Sequence, residues 1–433
     1  MTKIKLLSRS MFFPVIVITV FMLAQPSMAE QEITVGNDFG VGARSMGMGG
    51  AFTGVADDFT ALHWNPAGLS HIRRMEAFGA LSHEKVNNET VYFGNADSTF
   101  TSNTRPNSFG IVFPIPTYRG GLAFAFGVNR IQSFDLRTSV KGFNELSIDE
   151  DPEFGLLTID EITEESGGVT SWDFGLAVDI APNVALGATL SFLSGNYNYN
   201  LDLLATDDSQ LDSILDGLSY LDEIDTNYFG VDGKIGLMAY FNKFAKLGLT
   251  LTIPLSFSAE EYWYQDSYYA YDDGTDETIV DDGVFDYDIS RPIRFKAGVS
   301  IRPIPGATIA ADVGYTDWTQ TEYSEPPSED LSNENFVTDY RSTVKFSVGG
   351  EYYIPKTGLA LRAGYGLDPL PYNPEGTEIE KERQYITLGL GMIMSGSFTF
   401  DVAYVRGSSK VNTDNVSKSI NTNQIYLSAG LRF

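Results

Sequence analysis

Beyond about residue 73 the chain is written in segments whose apolar residues recur at every second position, and the connections between them are alternately very short and long. Such alternation gives each strand one apolar and one polar face. Regular switching between tight turns and long loops puts all turns at one end of an up-and-down sheet and all loops at the other. The segments lie at about 74–82, 107–116, 122–133, 169–180, 184–199, 227–241, 247–263, 284–302, 307–323, 340–354, 359–367, 383–394, 397–407 and 420–433. Fourteen strands with six short turns and seven longer loops follow the plan of a bacterial outer-membrane barrel.

Composition agrees. Charged residues make up only 20% and aromatics 13%, with 42 glycines, 23 tyrosines and 29 phenylalanines, which suits strands and turns better than helices. At the amino terminus, Lys3, Lys5 and Arg9 precede an apolar core from Met11 to Ala24 and a Ser27-Met28-Ala29 processing site, the pattern of an export signal spanning 1–29. No later run reaches the roughly 18 apolar residues of a spanning helix. A chain of this kind crosses a membrane only as a closed barrel, in which strands satisfy one another's backbone groups. There are no cysteines, so closure of the sheet must do what disulfides do in many exported proteins. The net charge of −28 argues against nucleic acid as a partner, which calls for basic patches.

The segment between leader and first strand is different in kind. It reads Gly42-Ala43-Arg44-Ser45-Met46-Gly47-Met48-Gly49-Gly50-Ala51-Phe52, then Val55-Ala56-Asp57-Asp58 and Asn65-Pro66-Ala67-Gly68-Leu69. A dinucleotide-binding loop would need a βαβ unit around it, and none is written here. Small residues let backbone pack closely, while Arg44, Asp57, Asp58 and Asn65 can bond to a polar inner wall and Pro66 stiffens a turn. This stretch resembles the amino-terminal hatch of the FadL/OmpP1/TodX family of outer-membrane transporters of long-chain fatty acids and hydrocarbons, with Asn65-Pro66-Ala67 matching that family's Asn-Pro-Ala turn. The resemblance implies a hatch over 30–72 inside a fourteen-stranded barrel over 73–433, with Arg44, Gly47, Gly49, Gly50, Asp57, Asp58, Asn65, Pro66 and Ala67 as hatch or gate residues. It also implies passive uptake of hydrophobic molecules past the hatch, with side exit where the third strand kinks. Gly127, Asn129 and Arg130 are where a kink is easiest here.

Other motifs are weaker. Leu211, Ile214, Leu215, Leu218 and Leu221 recur at helical spacing after Asp207, Asp208 and Ser209, predicting a short amphipathic helix whose apolar face either folds the loop down over the barrel rim or forms a lip for an arriving hydrophobic substrate. The acidic segment 135–167 reads as a loop. Trp172, Tyr197, Tyr199, Trp263 and Trp318 lie near strand ends, as an aromatic girdle requires. His63, His71 and His83 form no catalytic spacing, and Asp272-Asp273-Gly274-Thr275-Asp276-Glu277 departs from an EF-hand. Neither an enzyme nor a cofactor is expected. The carboxy terminus, Ile425, Leu427, Ala429, Leu431 and Phe433 alternating with polar or small residues, resembles the signature read by the barrel-assembly machinery of Gram-negative bacteria. The partners expected are thus that machinery, outer-membrane lipid and a hydrophobic small molecule. Two alternatives accompany the transporter reading: a general diffusion porin, and a structural or secretion partner of the PorV type, which shares the Gly-Met-Gly-Gly and Asn-Pro-Ala-Gly-Leu pattern.

Overall fold

A computed structural model describes residues 40–146, 155–211, 215–241, 244–325, 333–373, 375–394, 396–413 and 415–433. The chain is a closed antiparallel barrel. Its fourteen passes are β1 (Glu76–Tyr92), β2 (Asn95–Ile115), β3 with β4 (Leu122–Ser133, Leu136–Phe143), β5 (Thr158–Ala181), β6 (Val184–Thr206), β7 (Leu215–Tyr240), β8 (Ala245–Tyr271), β9 with β10 (Asp276–Ser290, Arg294–Ile301), β11 (Ala307–Asp317), followed by the short β12 (Glu322–Tyr323), β13 (Ser342–Tyr353), β14 (Leu359–Asp368), β15 (Thr377–Met394), β16 (Phe398–Thr413) and β17 (Val416–Arg432). Closure comes from β17 pairing with β1 along their whole length, from Glu76↔Arg432 to Tyr92↔Val416. A closed ring leaves no sheet edge to be satisfied by solvent or lipid.

Alternation decides what faces where. On β17, Ile425, Leu427 and Leu431 are exposed on the outside, while Tyr426 and Ser428 are buried in the lumen. Phe109, Phe113, Phe124, Phe174, Leu190, Leu361, Leu388 and Leu390 continue the outward apolar band on other strands. A band of large apolar side chains on the outer face is the surface that hydrocarbon covers. On β3, by contrast, Ala123, Ala125 and Asn129 are buried against the interior.

Three expectations need correction. The polar stretch after the first strand is not a loop: β1 and β2 run on to a turn at Phe93–Gly94, and Lys85, Asn87 and Glu89 pair with Ser102, Phe100 and Ser98. The acidic segment is largely strand too, since β4 pairs with the first half of β5 and Glu161, Glu164 and Glu165 belong to that ladder. Among the described residues around Leu215 there is no helix. Leu215, Leu218 and Leu221 lie on β7, paired with Tyr271, Tyr269 and Asp266 of β8. An i, i+3 pattern of leucines also contains residues of a two-residue repeat once Tyr220 and Asp222 are counted, and a long hairpin partner decides between them.

Candidate functional site

The residues from Gly40 to Ile72 form a compact unit inside the barrel at the short-turn end. A helical turn, α1 (Ala43–Gly47), begins after Gly42, whose φ is +84°; a second, α2 (Ala61–Trp64), leads into the 3-10 segment Pro66–His71. Asn65 joins the last two, its side chain accepting from the Ala67 amide at 3.1 Å and donating to the Thr53 carbonyl at 3.0 Å and to the Leu237 carbonyl of β7 at 3.2 Å. Pro66 costs nothing as the first residue of the 3-10 segment, where its missing N–H would have no partner. Phe52, Val55, Phe59, Leu62, Leu69 and the inward alanines of β3 and β5 bury one another.

The wall holds this unit from nearly all sides. Phe52 and Thr53 amides donate to one Asp312 carboxylate oxygen on β11 at 2.9 and 2.8 Å, and the Thr387 hydroxyl of β15 donates to the Gly47 carbonyl at 3.1 Å. Thr189 on β6 and Ser300 on β10 donate to the Leu62 and Gly54 carbonyls. Asn107 on β2 accepts from the Gly42 amide at 3.0 Å and donates to the Gly40 carbonyl at 2.9 Å. Gly49, with φ +68°, lies against the wall so closely that a Cβ there would stand 2.8 Å from the Tyr365 amide nitrogen.

Charge concentrates on Arg44. Its guanidinium makes ion pairs with Asp57 at 2.6 Å, Asp58 at 3.0 Å and, through two nitrogens, Glu351 of β13 at 2.9 Å. Arg362 on β14 continues the chain to Glu351 at 2.7 Å and Asp401 at 2.8 Å. Burial by itself would raise the Asp57 carboxyl, but Arg44 and Lys246 beside it hold it well below the usual carboxylate range. Burial likewise opposes the charge on Arg44, and Asp57 and Glu351 outweigh it, raising its pKa well above the ordinary value.

A cavity of about 670 Å³ opens beneath this network toward the turn end, lined among others by Arg44, Asp57, His71, Tyr240, Lys246 and Arg302. On the other side of the unit is a narrow space of about 60 Å³ between Met46, Gly49, Trp64, Lys296, Lys345 and Tyr385. Above it the lumen becomes a buried aromatic cluster that includes Phe134, Tyr197, Tyr199, Tyr220, Tyr287 and Tyr340. Tyr197, Tyr199 and Trp318 therefore face inward and do not belong to an outer girdle, whereas Trp172 is exposed on the outside. Leu215 and Leu218 join this inner cluster; Leu211 is exposed at the turn before it, and Ile214 lies outside the described residues.

Beside the cluster the backbone ladder of the wall is interrupted and side chains bridge the break, Arg105 of β2 donating to the Gly167 carbonyl at 3.2 Å and pairing with Asp135 at 2.7 Å. The β2–β3 ladder runs only from Ile115↔Leu122 to Ser108↔Asn129. β3 then bulges between Arg130 and Gln132 against β5 and breaks at Phe134–Asp135. β4 folds over the inner face of the β1–β2 hairpin, where Asn88 donates to the Thr138 hydroxyl at 2.9 Å and the Ser139 hydroxyl donates to Asp97 at 2.6 Å. Gly127 is not at this break: it pairs with Gly110 and Asp173 and lets Phe59 and Leu62 approach. Asn129 is the last paired residue, and Arg130 donates to the Gly167 carbonyl across the bulge. Sequence reasoning missed Asp312, Glu351 and Arg362, though each is a charge at an inward position of a strand otherwise rich in apolar and small residues. The three histidines are dispersed: His63 packs edge-on to Trp64, His71 stacks on Tyr240 at 4.3 Å, and His83 bonds Thr104. Among the described residues no group of three or more His, Asp or Glu could hold a metal ion, and Asp273 instead accepts from Thr275 in the β8–β9 turn.

A closed, lipid-facing barrel whose lumen is filled by an ion-paired segment, with a buried aromatic cluster on its loop side, is a plugged outer-membrane channel. Over residues 32–431 the chain matches the family described as outer membrane protein transport protein (OMPP1/FadL/TodX), and it belongs to that family of outer-membrane channels for hydrophobic compounds in Gram-negative bacteria. Among solved structures it is similar to the P. putida toluene transporter TodX, at 17% identity, TM-score 0.64, covering 91% of this chain and 99% of that one. It is similar also to a Pseudomonas aeruginosa FadL homologue (15%, 0.60, 91% and 98%) and to the Ralstonia pickettii toluene transporter TbuX (14%, 0.58, 92% and 99%). No curated protein matches it in sequence.

Proposed function

We propose that this barrel admits long-chain fatty acids or hydrocarbons passively, that the unit from Gly40 to Ile72 is the hatch that keeps water and ions from following, and that the solute leaves sideways between β2 and β3. The observation that carries the reading is the end of the β2–β3 ladder at Ser108↔Asn129, beside the aromatic cluster and above the segment that fills the lumen. A solute that never enters the polar cavity below the hatch avoids desolvating Arg44, Asp57 and Glu351, and it passes from aromatic surface to lipid without crossing water. Leu215 and Leu218 belong to that aromatic cluster, and Leu211 is the member of the expected lip that a solute meets first. TodX and TbuX are described as toluene transporters, which supports small hydrocarbons as solutes here. Reconstituted liposomes provide the test: the protein should speed uptake of fatty acids or alkylbenzenes and leave small sugars excluded. Acceleration of sugars without acceleration of hydrophobic probes would overturn it.

A further inference from the structure

The outer face of the barrel is not uniform in charge. Along β6, β7, β8 and β9 the only basic residues are Lys234 and Lys246, and both turn inward, donating to the His63 and Val55 carbonyls. Exposed acids such as Asp202, Glu223, Asp225 and Glu260 mark that side. The opposite sector, β16–β17–β1, reverses the sign, its exposed acid Glu89 standing farther out in the row of Lys410. Lys85 pairs in register with Asn423, and Asn423 with Arg406, so two cations stand on the outside two strands apart, about 10 Å.

Their height is defined by the same ladders. One row nearer the turns are His83, Ile425 and Tyr404, where the outward apolar band ends. One row farther out are Asn87, Asn421 and Ser408, all neutral hydrogen-bonding groups. Lys85 rests over the exposed Phe100 ring at 4.5 Å, which holds its ammonium at this level. Arg406 is exposed and makes no ion pair among the described residues. Lys410, two rows above Arg406 on β16, is paired with Glu380 at 2.5 Å and closes the patch.

We propose that Lys85 and Arg406, flanked by Asn87, Asn421 and Asn423, bind the phosphates of a glycolipid in the outer leaflet, of the lipid A type, whose acyl chains lie along Ile425, Leu427 and Tyr404. Cations set where an apolar surface ends, with amides for sugar hydroxyls around them, complement a phosphorylated headgroup sitting over its own hydrocarbon. An acidic protein gains by keeping such a sector, because its other faces repel an anionic leaflet. The bound lipid would fix the barrel's depth on this side.

Native mass spectrometry of the detergent-solubilised, full-length protein titrated with lipid A, with and without its phosphates, tests this. Phosphorylated lipid A should bind in preference to the dephosphorylated form, and the double variant Lys85→Gln/Arg406→Gln should bind it roughly 10- to 30-fold more weakly. Arg406→Lys, which keeps the charge, should retain binding. Heat-modifiable migration in gels confirms that each variant is a folded barrel. Equal binding by the double variant and the parent, or equal binding of both lipids, would overturn the proposal.

Discussion

Arg44 is shared by four carboxylate oxygens on three residues, two of them within the hatch and one on the wall, so its removal unbalances both partners at once. Arg44→Gln should weaken hatch docking by about 2–3 kcal/mol, at the low end for a broken buried pair because Arg362 still faces Glu351. The checking measurement is ion conductance in planar bilayers, which should rise; adding Glu351→Gln should restore part of the block, since it removes the stranded charge. The pH response has two parts. His71 is lowered by burial first and then by Lys246, so the hatch favours its neutral form. That contribution is present above the unfolded value of about 6.5 and is lost as pH falls through it. Asp57, held low, favours the charged form; its contribution is present above about 4 and lost as pH falls further toward its depressed native value. Conductance measured from pH 8 to 3 should therefore rise in two steps. His71→Gln should remove the upper step and leave the lower. Gly49→Val tests the close approach without touching charge: a branched side chain at φ +68° against the Tyr365 backbone should loosen the hatch by at least 1–3 kcal/mol.

At the scale of elements, what could be read beforehand depended on whether one residue's chemistry or a distant partner decided the conformation. Leu122–Ser133 was legible to the residue, because strict alternation between large apolar side chains outward and Ala, Gly and Asn inward has one interpretation, and glycine and proline closed the turns before it. The upper halves of β1, β2 and β5 were not legible, since Asn, Asp and Glu have low strand propensity and become strand here because a neighbouring hairpin supplies the ladder. Leu215 to Leu221 failed for the same reason. Single cysteines placed from Leu218 to Glu223 should label with a period of two, Ser219 and Glu223 being exposed while Leu218, Tyr220 and Asp222 are buried; a period near 3.6 would contradict the strand. The ladder irregularity lies between Arg130 and Gln132, and a bulge is specified by the register of two ladders and not by any one residue, so Gly127, Asn129 and Arg130 could be named in advance only as flexible or polar positions. Deleting Ile131 removes the extra residue between Arg130 and Gln132. If the gap between β2 and β3 is the exit, this deletion should reduce uptake of hydrophobic probes into liposomes several-fold while leaving ion conductance unchanged.

At the scale of the molecule, barrel and hatch are held by different forces, and that separation permits a decisive deletion. The barrel closes through backbone ladders, including the full β1–β17 seam, none of which uses a hatch residue. The hatch contributes instead a buried apolar cluster and the Arg44 network, both filling space that a ring of fourteen strands leaves wide enough for water. Removing 40–72 should therefore leave a folded, heat-modifiable barrel, less stable because Asp312, Glu351 and the inward alanines lose their partners. It should conduct ions steadily and let small sugars swell liposomes, whereas the intact protein should exclude both. Hydrophobic uptake separates two roles for the same segment. If the solute leaves between β2 and β3 above the hatch, the deletion should keep such uptake while losing selectivity against sugars; if the solute must pass through the Arg44 network, Arg44→Gln alone should speed hydrophobic uptake in proportion to its gain in conductance.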